Sequence, residues 1–277
     1  MLRDALKTTI RTTRISVRWA IHKLRRGDCV VVLGMHRSGT SFLTSVLAGQ
    51  GFDLGTARDG GSLSKWNAHG HFESWKCVSV NNRILHDSGG SWDYPPTGVH
   101  ATFATRLRMR EALADFGGDR PFAIKDPRFS LTCRLWESLL PSTHFIVCFR
   151  HPIAVAESLK RRNGLSREKA VSLWNTYNRS VLELCDEHRS PRSVVYFNYD
   201  EIDKAEVAIQ AICNRCGVPF RASVLGERYS DALRHHGDSD VVPEEVENTY
   251  QELLHRWWAA RDVGQGNTRA VESQALE

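Results

Sequence analysis

The sequence predicts an α/β fold, a central parallel β-sheet flanked by helices in three layers. Three observations carry that expectation. Four strand-like runs, at residues 29–33, 122–125, 144–149 and 193–197, alternate with helical patterns, which is how parallel sheets covered on both faces are built. The first run, CVVVL, is apolar throughout and rich in β-branched residues, as a buried strand is. That run then passes through a glycine-bounded loop into an apolar helical pattern at Phe42, Leu43, Val46 and Leu47.

Size and composition agree with one large globular domain: 277 residues, 41% apolar and 25% charged. No apolar run approaches the roughly 20 residues that span a bilayer. The N-terminus lacks the apolar core of a secretion signal, so a cytoplasmic protein is expected. The seven scattered cysteines suit a reducing compartment. Cys213 and Cys216 form a single CxxC without a second pair or a suitably spaced histidine, so no metal site is expected.

Taken in order, residues 1–26 stand apart. Arg3, Lys7, Arg11, Arg14, Arg18, Lys23, Arg25 and Arg26 face Asp4 alone, a balance of +7 in a chain of net charge +5, which leaves the remainder near −2. The protein has a basic arm and not a basic body, so no nucleic-acid partner is expected. Leu6, Ile10, Val17, Ile21 and Leu24 recur at helical spacing in this arm. Two readings stay open: a basic amphipathic helix in peripheral contact with the inner face of an anionic membrane, or a stripe packed on the domain. Residues 27–261 form the expected catalytic domain, and residues 262–277 a polar, disordered tail.

The loop after the first strand reads Gly34-Met35-His36-Arg37-Ser38-Gly39-Thr40-Ser41. Laid on the pattern G-x-x-x-x-G-K-[ST], Gly34, Gly39 and Ser41 match, which makes the expected fold P-loop NTPase-like. Backbone N–H groups and the positive end of a helix dipole would cradle an anion there. Thr40 stands in place of the lysine that meets β- and γ-phosphates, which argues against a nucleoside triphosphate. An ordinary strand–turn–helix, with glycines serving the turn, is the plain alternative.

GMHRSGTS after a strand resembles the 5′-phosphosulfate loop of sulfotransferases that use 3′-phosphoadenosine 5′-phosphosulfate (PAPS). The resemblance implies Arg37, Ser38, Gly39, Thr40 and Ser41 as contacts to that co-substrate. Further along, Asn67-Ala68-His69-Gly70-His71-Phe72-Glu73 resembles an N-x-x-G-[aromatic]-x-E passage of bacterial-type sulfotransferases. Glu73 then reads as the general base, a role that asks for a partly raised pKa. It also reads as a helix N-terminal residue favoured by the dipole. His69 and His71 are rival bases. Trp92 and Tyr94, in a turn-rich loop, read either as acceptor contacts or as packing residues.

Lys125-Asp126-Pro127 ends the second strand at the sheet edge where ligands bind. It resembles a segment found in several sulfotransferase branches. The role so implied for Lys125 is to neutralise charge building on the bridging oxygen and sulfonate; the alternative is an exposed ion pair. The third strand ends in Arg150-His151-Pro152, with Pro152 suited to a helix's first turn and Ser158 on the helix that follows. An arginine and a serine so placed can converge on one phosphate, and the family's 3′-phosphate motif has them at this separation. Tyr199-Asp200-Glu201-Ile202 resembles the family's Tyr-Glu-Asp-Leu turn with its acids shifted. No basic, glycine-rich closing loop is recognisable near the C-terminus, where Arg234-His235-His236 reads as a surface turn or an anion contact.

The resemblance, over residues 29–217, implies sulfonate transfer from PAPS to a hydroxyl or amine of an acceptor. Glu73, Lys125 and Arg37 are the catalytic candidates, with Arg150 and Ser158 on the 3′-phosphate. The cradle supplies the positive field, so that chemistry calls for no metal. A glycan or lipid-linked glycan is the expected acceptor, since a membrane-leaning arm would bring the site to one. Two other classes are an ATP-dependent kinase, which Thr40 and the Lys125 before Asp126 count against, and a non-catalytic membrane-surface module.

Overall fold

The computed structural model describes residues 27–55, 71–116, 120–188, 193–228 and 241–274, together with Thr13. The rest of the basic arm, His69 with the passage before it, and Arg234-His235-His236 lie outside the described residues. Among the described residues the strands are β1 (Cys29–Leu33), β2 (Phe122–Lys125), β3 (Thr143–Phe149) and β4 (Val194–Asn198). In chain order the helices are α1 (Thr40–Gln50), α2 (Trp75–Asp87), α3 (Phe103–Leu113), α4 (Phe129–Trp136), α5 (Pro152–Asn163), α6 (Arg167–Glu187), α7 (Ala205–Arg215), α8 (Ser223–Arg228) and α9 (Glu244–Gln274).

The strands form one all-parallel sheet in the order β2-β1-β3-β4. β1 lies inside it, with Val32 opposite Lys125 on one side and Leu33 opposite Val147 on the other. Every β1 residue is fully buried because both faces are covered. Cys29, Val31 and Leu33 enter a core with apolar residues of α2, α3, α4, α5, α6 and α9. Val30 and Val32 enter a second core with α1, α7 and Val224 of α8. The period-two alternation of a strand thus divides one apolar run between two layers, and the expected three-layer, P-loop-like architecture is what is found.

From β1 the chain crosses to β2 on one side, then returns to β3 on the other. The carboxyl ends of β1 and β3 therefore flank a topological switch point, the place where open α/β sheets bind ligands. Local signals set the elements there. Gly51 closes α1 in the left-handed region at φ 110°. Pro152 opens α5, where the His151 ring Nδ1 accepts from the Ile153 N–H at 3.3 Å.

One element differs from expectation. α4 follows on Pro127, where the sequence suggested only a strand end; its Phe129, Cys133 and Trp136 are buried. α9 runs to Gln274. Glu244, Glu245 and Glu247 favour its N-terminus, and Val246, Leu253 and Trp257 bury one stripe. An anchored helix then extends without a new nucleation cost.

Candidate active site

The loop between β1 and α1 turns sharply. Gly34 (φ 142°), Arg37 (φ 71°) and Gly39 (φ 91°) all lie at positive φ, and a non-glycine there marks a strained, functional segment. Close approach explains Gly39, because a Cβ would run into the Tyr199 ring. The loop is tied down from outside: the Gly34 N–H donates to Ser130 Oγ at 2.9 Å, and the Cys148 thiol donates to the Ser38 carbonyl at 2.9 Å. Among the described residues no side chain caps the N-terminus of α1, so its dipole points into the loop. Ser38 Oγ is buried with no partner among the described residues, a position that suits a ligand oxygen.

Beside this cradle sits Lys125, the last residue of β2 and almost completely buried. Its Nζ donates to Glu73 Oε1 at 2.7 Å and to Ser41 Oγ at 3.1 Å. Ser41 in turn donates to the His71 carbonyl at 3.4 Å. Glu73, Lys125 and Ser41, drawn from three separate segments, are thus one group. Burial works to raise the Glu73 carboxyl, but Lys125, with Arg128 and His71 behind it, leaves it below its ordinary 4.5. The partly raised value expected for a base is not found, because an ammonium lies in direct contact. The His71 imidazole is held below 6.5 by burial and by Lys125, Arg162 and Arg37, with Glu73 opposing.

On the far side of the loop, Arg37 Nε donates to Ser158 Oγ at 2.8 Å. The sequence pairs Ser158 with Arg150; the structure joins it to Arg37 and so connects the loop to α5. Arg150 Nε instead reaches Asp200 Oδ1 at 3.2 Å, and its guanidinium lies 5.2 Å from the Tyr199 ring centre. The His151 N–H donates to the other oxygen of Asp200 at 2.7 Å. Burial first, then the charges of Arg162 and Arg150, bring the Arg37 guanidinium from 12.5 down to about 10. A bound polyanion would relieve that repulsion. With the unpartnered Ser38 hydroxyl and the uncapped helix, these residues fit a nucleotide carrying phosphates at two positions.

Several participants were not singled out from the sequence. Arg162 lies four residues after Ser158, one turn along the same face of α5, so its place was legible. Asp126 is fully buried; Arg128 Nη1 donates to it at 2.8 Å and Asn81 Nδ2 at 2.8 Å. A carboxylate so engaged is poorly placed to hold the metal of a kinase. Burial, and then the charges of Arg128, Lys125, Arg162 and Arg37, hold the His36 imidazole well below 6.5. Its ring centre lies 4.7 Å from that of Trp92, which makes Trp92 part of the wall behind the loop. Tyr94 is exposed. Away from the site, near the amino ends of β1 and β3, ligand atoms of Asp28, His144 and Cys216 lie within 4.8 Å of one another. The Arg215 charge acts on that group as well and works against a cation.

Comparisons with known proteins agree with the fold. The sulfotransferase domain of the olefin synthase of Synechococcus PCC 7002 superposes with a TM-score of 0.53 at 17% identity, covering 83% of this chain and 95% of that one. The sulfotransferase domain from the curacin biosynthetic pathway gives 0.52 at 17% identity, covering 83% and 98%. At such identity the likeness is one of fold. No curated protein matches the chain. A model of the sulfotransferase family matches residues 29–222, a span that starts at β1 and takes in the loop, Glu73, Lys125, Arg150 and Ser158, and by that match the chain belongs to the sulfotransferase family.

Proposed function

We propose that the protein transfers the sulfonate group of PAPS to a hydroxyl or amine of an acceptor. The observation that carries this reading is the buried Lys125 ammonium, held between Glu73 and the loop hydroxyl of Ser41. A buried ammonium between a carboxylate and a glycine-bounded loop is what supports the reading. The loop amides, Arg37, Ser38, Gly39, Thr40 and Ser41 bind the 5′-phosphosulfate, while Arg150 and Ser158 bind the 3′-phosphate. PAPS supplies a sulfonate on a good leaving group: the acceptor oxygen bonds to sulfur as the bond to the bridging oxygen breaks, and 3′,5′-diphosphoadenosine departs.

Glu73 takes the acceptor's proton. As charge builds on the bridging oxygen, Lys125 turns toward it, which weakens its hold on Glu73 and lets burial raise the carboxyl. The Glu73 carboxyl held below 4.5 by Lys125 is one half of that exchange. A glycan or lipid-linked glycan is the acceptor class we favour. The protein works in the cytoplasm, with the +7 arm of residues 1–26 resting on an anionic membrane. Deleting residues 1–26 should abolish co-sedimentation with anionic liposomes; equal binding by both forms removes the membrane contact.

Calorimetric titration with 3′,5′-diphosphoadenosine, ADP and ATP tests the reading, in wild type and in Arg150→Ala. Preference for the diphosphoadenosine, lost in the variant, is the expected result. Equal or tighter binding of ATP would move the search to phosphoryl transfer.

A further inference from the structure

Beside Glu73 lies an open cleft of about 440 Å³, lined by His71, Glu73, Trp75, Val78, Ser79 and Asn82. The last four fall at positions i, i+3, i+4 and i+7 of α2, one stripe along the helix. The opposite stripe, with Cys77, Val80, Asn81, Ile84 and Leu85, is buried under the sheet. Trp75 leaves 66% of its surface exposed although it begins a helix whose other face is core. Lys76 Nζ lies 5.9 Å from the Trp75 ring centre, and a large aromatic so exposed on the rim of a cleft beside Glu73 is poised for a ligand.

We propose that this stripe of α2 is the acceptor subsite and that it takes a saccharide, with a sugar ring lying on the Trp75 indole. The inference rests on the sulfonate-transfer reading and adds to it the place and side chains that take the acceptor's sugar. A pyranose has an apolar C–H face and a rim of hydroxyls. The cleft has one flat apolar surface, Trp75, and polar side chains around it at His71, Ser79 and Asn82. An aryl or long-chain acceptor needs enclosing apolar walls, and beyond Trp75 this cleft has Val78 alone among its lining residues. Its open shape admits a sugar that is part of a longer chain, with any lipid portion outside. A hydroxyl of the stacked ring then faces Glu73.

The test is transfer from ³⁵S-labelled PAPS by the full chain to methyl glucoside, methyl galactoside, maltotriose, p-nitrophenol and octanol. A glycoside should be accepted. Trp75→Ala should raise its KM about tenfold or more while kcat changes less, the pattern of lost acceptor binding, and Trp75→Tyr should recover most of it. Affinity for 3′,5′-diphosphoadenosine should be unchanged in both variants. Transfer to no glycoside, or an unchanged glycoside KM in Trp75→Ala, overturns the saccharide subsite. Failure of the wild type to bind the diphosphoadenosine would instead overturn the sulfonate-transfer reading beneath it.

Discussion

A lysine with 2% of its surface exposed would be costly without a partner, and Lys125 has Glu73 and Ser41. An ion pair kept for stability alone would gain little from so deep a position. Lys125→Met should therefore lower kcat by about 100- to 1,000-fold, the ~2.7–4 kcal/mol typical of a lost transition-state donor, and weaken diphosphoadenosine binding as well, because the departing nucleotide keeps the bridging oxygen. A change below about fivefold (~1 kcal/mol) would reduce Lys125 to an ion-pair residue. The same variant reverses a pH dependence. In the wild type the folded-state value of Glu73 lies below its unfolded 4.5. Its contribution to stability is then present above that value and lost as pH falls through the lower folded one. Without Lys125, burial dominates and the folded value rises. Glu73 then stabilises the fold at acid pH, and that contribution is lost as pH rises through the raised folded value. Urea unfolding of both proteins from pH 4 to 8 reads the difference: the stability of Lys125→Met relative to wild type should fall as pH rises.

At the scale of elements, the site is two strand–loop–helix units docked at the switch point. The first unit, β1 to α1, needs Gly39 because the Tyr199 turn after β4 occupies the space of a side chain. Gly39→Ala adds that clash to a positive φ, a strain of ~1–3 kcal/mol. Relief by withdrawing Tyr199 would disturb the face on which Arg150 lies. Diphosphoadenosine affinity should fall in Gly39→Ala by more than the loss in folding stability accounts for, as calorimetry and urea unfolding together would show. Equal losses would mean that the glycine serves only the turn. These units were legible in the sequence because their signals are local: the CVVVL run, the glycine spacing, Pro152 after Arg150. The partnership of Ser158 with Arg37 was not, since it joins residues 121 apart in sequence and depends on how β1 and β3 neighbour in the sheet. The depressed Glu73 carboxyl was hidden for the same reason. Its cause, Lys125, is brought in by β2.

At the scale of the molecule, both cores hang on the same strands. Leu253 of α9 lies in one core and Ile209 of α7 in the other, each fully buried. Leu253→Ala and Ile209→Ala should each cost ~2–5 kcal/mol, about 2–4 °C of Tm per kcal/mol in a domain of this size. The buried tryptophans separate one cooperative unit from two independent layers. Trp136, Trp174 and Trp257 all belong to the core that holds Leu253, and the core that holds Ile209 contains no tryptophan among the described residues. The buried tryptophans among the described residues therefore report one layer by fluorescence, while far-UV circular dichroism reports both. β1 sends alternate residues into each core, so neither layer can open without stripping the strand the other packs on. The Ile209→Ala substitution should then shift the fluorescence transition as far as the dichroism transition. A fluorescence midpoint that stayed in place while dichroism moved would show that the layers unfold separately, and that the strand ends carrying Lys125 and Arg150 are not held by a single cooperative sheet.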